Sequence, residues 1–266
     1  MKISVIGGGN MGGAIVRGLT QGNIFKPEDI TVVDVNEAPL KALKEYNSSI
    51  NIALNNYESI KNTDIIILAV KPWLIKDVLI DIKFMLDYTK QTIISVAAGI
   101  SISEIRDTLI KGYEASAEPV IFRVVPNTAI SVKQSVTLVA SSPNASSQQK
   151  DFIANIFNEL GCAISIEENK IVAGTALTSC GIAFFFRYVK AAMSAGVEMG
   201  FSAKDAQEMT VKTMLGAATL LDETKGYPEQ EIDKVTTPGG ITIKGINELE
   251  ANGFTNAIIK ALKACK

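Results

Sequence analysis

"MKISVIGGGNMG", residues 1–12, begins with a short β-branched run and passes directly into three spaced glycines. Gly7, Gly9 and Gly12 fall in the G-x-G-x-x-G spacing, and from Met11 onward Ala14, Ile15, Gly18 and Leu19 recur at helical intervals. The physical roles follow from the spacing. Gly7 permits the tight turn, Gly9 lets the backbone approach a pyrophosphate, and Gly12 allows close helix packing. The helix N-terminus adds roughly half a positive charge. Asp34 closes a second strand-like run 22 residues after Gly12, near the position where an acid meets an adenosine ribose. Such a stretch predicts a dinucleotide site on an α/β unit.

Working outward, "KISVIG", "DITVVDV", "DIIILAV", "QTIISVAAG", "IFRVV" and "SVTLVA" are the strand candidates of the first 140 residues. Several are apolar on both faces, as in parallel strands covered by helices on each side. Leu40 and Leu43 with flanking lysines suggest a second amphipathic helix. A Rossmann-type doubly wound sheet follows. After the polar loop "SSPNASSQQ", Ser146 and Gln149 form a candidate capping box for a helix that should run to Gly161 and close the first domain. From about Asn169 the chain shows only alanine- and leucine-rich helical segments, with Ser202 and Asp205 as a helix start and Gly226 with Pro228 as a stop. The expected organisation is a dinucleotide-binding domain over residues 1–163 and an all-α domain over residues 164–266.

Composition narrows the chemistry. A hydrophobic content of 47% and a net charge of −2 over 266 residues suit a globular protein and argue against a nucleic-acid partner. The chain has no histidine, which removes histidine bases and most zinc sites. Cys162, Cys180 and Cys265 are scattered, without metal-ligand spacing, so no metal site is expected and a reducing compartment is. The N-terminus lacks a signal-peptide pattern, and the runs "DIIILAV" and "GIAFFFRYV" fall short of the ~20 residues that span a bilayer. A cytoplasmic protein without a membrane partner is the expectation.

Ligands of doubly wound sheets sit beyond the C-terminal ends of the strands. The loops "LAVKP", "VAAG" and "VPNT" end three of them and are either crevice walls or compact strand-to-helix turns. Ala97, Ala98 and Gly99 leave room for a flat nicotinamide ring.

Five ordered motifs, "GGGNMG", "AVKP" at 69–72, "AAG" at 97–99, "PNT" at 126–128 and "TTPGGITI" at 236–243, resemble the pyrroline-5-carboxylate reductases along essentially the whole chain. "AGVEMG" at 195–200 and "LGAATLL" at 215–221 resemble that family's dimer-forming helices. The resemblance implies reduction of 1-pyrroline-5-carboxylate to L-proline by NADH or NADPH, the last step of proline biosynthesis, in a homodimer or larger homo-oligomer assembled through the helical domain. It further implies that Thr242 hydrogen-bonds the substrate ring nitrogen, while Thr237 and the backbone of Gly239 and Gly240 hold the carboxylate. Glycines expose N–H groups to an anion, and a threonine hydroxyl both donates and accepts, so the residue types suit those roles. On the cofactor side the implied residues are Gly7, Gly9, Asn10, Met11, Gly12, Asp34, Asn56, Ala69, Val70, Lys71, Pro72, Ala97, Ala98, Gly99 and Asn127.

Departures from the family pattern sit at "TSCGIAF", residues 178–184, where Ile182 replaces a proline and Phe184 a tyrosine, and at Ala129 after "PNT". Two alternatives stand beside the reductase: a related imine reductase, and a non-catalytic dinucleotide-binding regulatory paralogue. A hydroxyacid dehydrogenase would need asparagine four residues after a catalytic lysine; Lys190 is followed there by Ser194 and reads as a solvated helix charge. Apolar positions at Met209, Leu215 and Leu220 favour burial against a second copy. Although many family members use NADPH, the second strand is followed by Asp34, Val35, Asn36 and Glu37, with no base before Lys41. A carboxylate about 4 Å from a 2′-phosphate costs about 4 kcal/mol at an effective dielectric of about 20, which favours NADH.

Overall fold

The glycine run follows a strand as expected. Ile3–Ile6 form β1, fully buried, and Asn10–Leu19 form α1. There follow β2 (Ile30–Asp34), α2 (Glu37–Tyr46), β3 (Asn51–Leu54), β4 (Ile65–Leu68), α3 (Ile75–Ile82), β5 (Thr92–Ser95) and α4 (Ile102–Leu109). Next come β6 (Val120–Val125), β7 (Ser135–Ser141), α5 (Ser147–Asn158) and β8 (Gly161–Ser165). This computed structural model describes residues 1–110 and 118–266.

The eight strands pair in the order β3-β2-β1-β4-β5-β6-β7-β8, all neighbours parallel except β6 and β7. Because side chains alternate across a strand, one face receives Val5, Val32, Ile67, Ile94 and Phe122, while the other receives Ile6, Val33, Ile66, Ile93 and Ile121. Both faces are therefore cores covered by helices, which is why these strands read as unbroken apolar runs. From β1 the chain winds to β2 and β3 on one side, then crosses to β4 and beyond on the other. That reversal places a crevice beyond the carboxyl ends of β1 and β4.

Two strands were not legible as strands. β3 and β8 lie at the two edges, and most of their side chains are exposed, so neither carries an apolar run. The helix expected to reach Gly161 ends at Asn158, although its Ser146–Gln149 capping box is present. Gly161 instead opens β8 at φ +140°, where a Cβ would lie 2.2 Å from the Ser135 carbonyl oxygen. Close strand approach, rather than helix capping, requires glycine there.

The chain divides into two compact units, Met1–Ser179 and Cys180–Lys266. The boundary expected after residue 163 falls inside β8, and Ile171 of the short helix α6 (Ile171–Thr175) still belongs to the sheet core. A π-helical turn, Ala176–Cys180, follows, in the segment that carries "TSCGIAF". The second unit comprises α7 (Gly181–Glu198), α8 (Ala203–Thr224), α9 (Pro228–Val235), α10 (Ile241–Ala251) and α11 (Phe254–Ala264). Helices α7 and α8 pack closely where a Cβ on Gly196 would meet Ala206 Cβ at 2.8 Å. Ser202 caps α8 by accepting from the Asp205 N–H, as the sequence anticipates, whereas the left-handed residue that ends it is Lys225, one position before the expected Gly226.

The apolar runs prove longer than the sequence expectation allowed. Helix Glu168–Glu198 is long and apolar enough by length and composition to cross a membrane, because small and β-branched residues extend "GIAFFFRYV" towards its N-terminus. Only 17% of its most apolar stretch is buried within the chain.

Candidate active site

The loop between β1 and α1 is shaped by contacts that only glycine tolerates. Gly7 adopts φ +103°, donates to the Val33 carbonyl at 2.7 Å, and sits where a Cβ would lie 2.7 Å from the Ala69 carbonyl oxygen. A Cβ on Gly12 would lie 1.9 Å from the Gly7 carbonyl oxygen, so the first turn of α1 rests directly on the loop. Gly9 differs: nothing lies within 4 Å of a Cβ built there, and its backbone is exposed. It caps α1 without a side-chain partner, and no acid stands in the first turn. The free N–H groups of that turn and the helix dipole thus face an open cradle.

Asp34, at the end of β2, clasps this loop. Its Oδ2 accepts from the Gly8 N–H at 2.7 Å and its Oδ1 from the Asn36 N–H at 2.8 Å. The bases that follow are committed elsewhere: Lys41 pairs with Glu37 at 3.0 Å and Lys44 Nζ donates to the Ile50 carbonyl at 2.8 Å.

A cleft of about 830 Å³ opens over the loop. Of the sequence-derived cofactor residues, Gly7, Gly9, Asn10, Met11, Asp34, Ala69, Val70 and Lys71 line it. Sequence reasoning missed Tyr57, after β3, and Asp77 and Asp81 on α3, which also line it. The i, i+4 spacing of the α3 acids marks one exposed side of a helix whose Val78 and Ile82 are buried, but only the fold places that side on the cleft. Burial holds the Tyr57 phenol above its ordinary value, and the Asp81 and Asp34 carboxylates push it in the same direction.

The remaining cofactor residues lie off the cleft wall. Gly12 is buried beneath the loop, and Pro72 starts a 3-10 turn, Pro72–Leu74. Asn56 is exposed, its Oδ1 accepting from the Glu58 N–H at 3.0 Å. In the β5–α4 loop Ala97 is buried, whereas Ala98 and Gly99 are exposed, Gly99 at φ +80° with open space around it. That loop is anchored at its far end, where Glu168 Oε1 accepts from the Ile102 N–H at 2.8 Å and from Arg123 Nη1 at 3.1 Å. Asn127 is buried and fully engaged: its Oδ1 accepts from the Ala129 N–H at 3.0 Å and its Nδ2 donates to the Thr178 carbonyl at 3.1 Å.

The residues expected to hold a substrate, Thr237, Gly239, Gly240 and Thr242, lie in the helical unit at the N-terminus of α10. Gly240 caps that helix without a side-chain partner, Gly239 adopts φ +73°, and the Gly240 N–H donates to the Thr237 carbonyl at 2.9 Å. A Cβ on Gly240 would lie 2.7 Å from Thr237 Oγ1, so the turn closes tightly on its own hydroxyl. Thr237 and Thr242 are exposed, whereas Thr236 spends its hydroxyl on the Ile232 carbonyl at 2.9 Å. The turn therefore presents free N–H groups and two hydroxyls, a donor set suited to a carboxylate. Lys190 is exposed, and the Ser194 hydroxyl donates to its carbonyl, as in an ordinary helix surface. Among the described residues no cluster of acids or cysteines could hold a metal ion.

Residues 168–266 match the family described as pyrroline-5-carboxylate reductase dimerisation, and residues 2–99 match the family described as NADP oxidoreductase coenzyme F420-dependent. Pyrroline-5-carboxylate reductase 1 of Dictyostelium discoideum is 40% identical over 98% of this chain, which spans 48% of that relative's length. Pyrroline-5-carboxylate reductase 2 of the same organism is 37% identical, with 98% of this chain and 89% of the relative covered. A solved pyrroline-5-carboxylate reductase from Coxiella burnetii superposes with a TM-score of 0.91 at 33% identity, covering 99% of this chain and 95% of its own. With relatives this similar along the sheet unit and the helical unit alike, the chain belongs to the pyrroline-5-carboxylate reductase family.

Proposed function

We propose that this chain reduces 1-pyrroline-5-carboxylate to L-proline with a reduced nicotinamide dinucleotide. The observation that carries the reading is a pair of uncapped helix N-termini in one family member: α1 opening on the glycine cradle, and α10 behind the proline-glycine turn. Each suits an anion, the first a pyrophosphate and the second a substrate carboxylate.

The open side of Gly9 and a cleft of about 830 Å³ fit a dinucleotide. In this reading Gly9, Asn10 and Met11 hold its phosphates and the β5–α4 loop borders its ring. When bound, the reduced nicotinamide supplies a hydride. The chain's own residues then position and polarise. Thr237, Gly239 and Gly240 hold the carboxylate, and Thr242 keeps a hydrogen bond to the ring nitrogen, stabilising the charge that makes the imine carbon electrophilic. No histidine is needed for such chemistry, in keeping with a chain that has none.

Three finer readings belong to this proposal. The chain works as a homodimer at least, supported by the family matched over residues 168–266 and by exposed apolar side chains such as Phe186 and Leu215. It acts in the cytoplasm, as its scattered free cysteines suggest. It prefers NADH, supported by Asp34 at the end of β2 and by the engagement of Lys41 and Lys44.

The test is turnover with 1-pyrroline-5-carboxylate, followed by loss of the reduced cofactor. Wild type should turn over, and Thr242→Ala should lower kcat by about 100- to 1000-fold, the range for removing one positioned donor. Unchanged turnover in that variant would sink the role given to Thr242. Cofactor binding without any turnover would favour the regulatory reading.

A further inference from the structure

Asp34 is not the only carboxylate facing the candidate cofactor. Helix α3 follows the "AVKP" loop, and its buried residues Val78 and Ile82 dock it on the sheet core. Asp77 and Asp81, four residues apart, lie together on the exposed side and line the cleft that Asp34 and Tyr57 also line. The Tyr57 phenol feels both Asp81 and Asp34, so one side chain senses acids carried by α3 and by β2. Their states differ. Both oxygens of Asp34 already accept backbone N–H groups, which offset part of its charge. Among the described residues, neither Asp77 nor Asp81 has a hydrogen-bond or salt-bridge partner, and Lys71 is the one base on the cleft wall.

Resting on the cofactor reading above, we propose that Asp81 and Asp77 are specificity-determining residues that, with Asp34, form a three-carboxylate wall rejecting a 2′-phosphorylated dinucleotide. The preference for NADH then does not hang on Asp34. A phosphate entering this end meets two carboxylates that no partner has compensated, and the repulsion acts through solvent, so salt weakens it. At its adenosine end NADH, without that phosphate, offers hydroxyls and an exocyclic amine, for which carboxylates are acceptors.

Titration calorimetry with NADH and NADPH on wild type, Asp81→Asn and the double variant Asp77→Asn/Asp81→Asn tests the wall without using turnover. Each carboxylate removed should tighten NADPH by about fivefold, the order for a screened unit charge across a solvated cleft. NADH affinity should stay within about twofold, Asp81→Glu, which keeps the charge, should retain the wild-type ratio, and the wild-type gap should narrow as salt rises. An unchanged NADPH affinity in the double variant, with NADH binding and melting temperature intact, overturns the inference. A wild type that binds neither dinucleotide overturns the cofactor reading itself. NADH binding without turnover of 1-pyrroline-5-carboxylate overturns only the substrate reading and leaves the wall standing.

Discussion

The sheet unit and the helical unit solve burial in opposite ways. In Met1–Ser179 both faces of the sheet are covered, and side chains as large as Phe122 and Phe157 are wholly buried. In Cys180–Lys266 only Gly181, Gly196 and Ala206 are buried, while Phe186 stays 68% exposed and Leu215 59%. The helices of the second unit are regular, yet they have almost no core of their own. The contrast teaches that one half of this chain is specified by its own contacts, whereas the other half leaves an apolar face that its own contacts do not cover. A second copy is the occupant that the matched family implies.

The sharpest way to break that contrast is to charge the uncovered face. Leu215→Glu should leave the sheet unit folded and able to bind a dinucleotide, because nothing in its core changes. In a dimer it would bury an unpaired carboxylate, a cost of several kcal/mol. Analytical ultracentrifugation should then show monomer where wild type is dimer or larger, with turnover falling by more than about tenfold. A wild type already monomeric at micromolar concentration would rule out a second copy as the cover for the exposed face.

A smaller effect separates packing from ligand approach within the sheet unit. Gly12→Ala forces a methyl group to within 1.9 Å of the Gly7 carbonyl oxygen, so the loop or α1 must shift. Overpacking of this kind costs about 1–3 kcal/mol, and both melting temperature and NADH affinity should fall. Gly9→Ala meets nothing within 4 Å. Its melting temperature should stay near wild type while NADH affinity drops, because the added methyl occupies the space left for the ligand. Equal losses of stability in the two variants would contradict the open-cradle geometry.

The same contrast explains what the sequence made legible. The central strands were readable because burial on both faces leaves an apolar run, and the glycine loop was readable because three separate steric needs fall at fixed spacing. β3 and β8 were not, since exposed edge strands carry no such run. Gly161 misled because a glycine serves a strand approach as readily as a helix cap. In the cleft, Asp34 could be placed by counting from Gly12, but Tyr57, Asp77 and Asp81 reach it only through the crossing of β3 and α3 onto one end of the sheet. The turn at Thr237 to Thr242 was legible as a motif. Its lack of any side-chain cap became visible only in the folded chain.

The mildest test concerns alkaline stability, where the sheet unit should show a dependence that its own interior imposes. Tyr88 is 8% exposed and donates its hydroxyl to the Leu109 carbonyl at 2.6 Å, tying the loop after α3 to the end of α4. Burial pushes its phenol up to about 12 from the ordinary 10.0. A folded-state value above the unfolded one means that, between those limits, the unfolded chain has lost the proton that the folded chain keeps. The contribution is thus fully present below about pH 10 and disappears as pH rises towards about 12; at 1.36 kcal/mol per pKa unit it amounts to about 2–3 kcal/mol. Tyr88→Phe should cost about 1 kcal/mol at neutral pH through the lost hydrogen bond, yet its stability should fall less steeply above pH 10. The difference between the two pH profiles isolates this phenol from the lysines and other tyrosines that titrate alongside it. Parallel profiles for wild type and variant across that window would show that the Tyr88 proton contributes nothing to the sheet unit's alkaline limit.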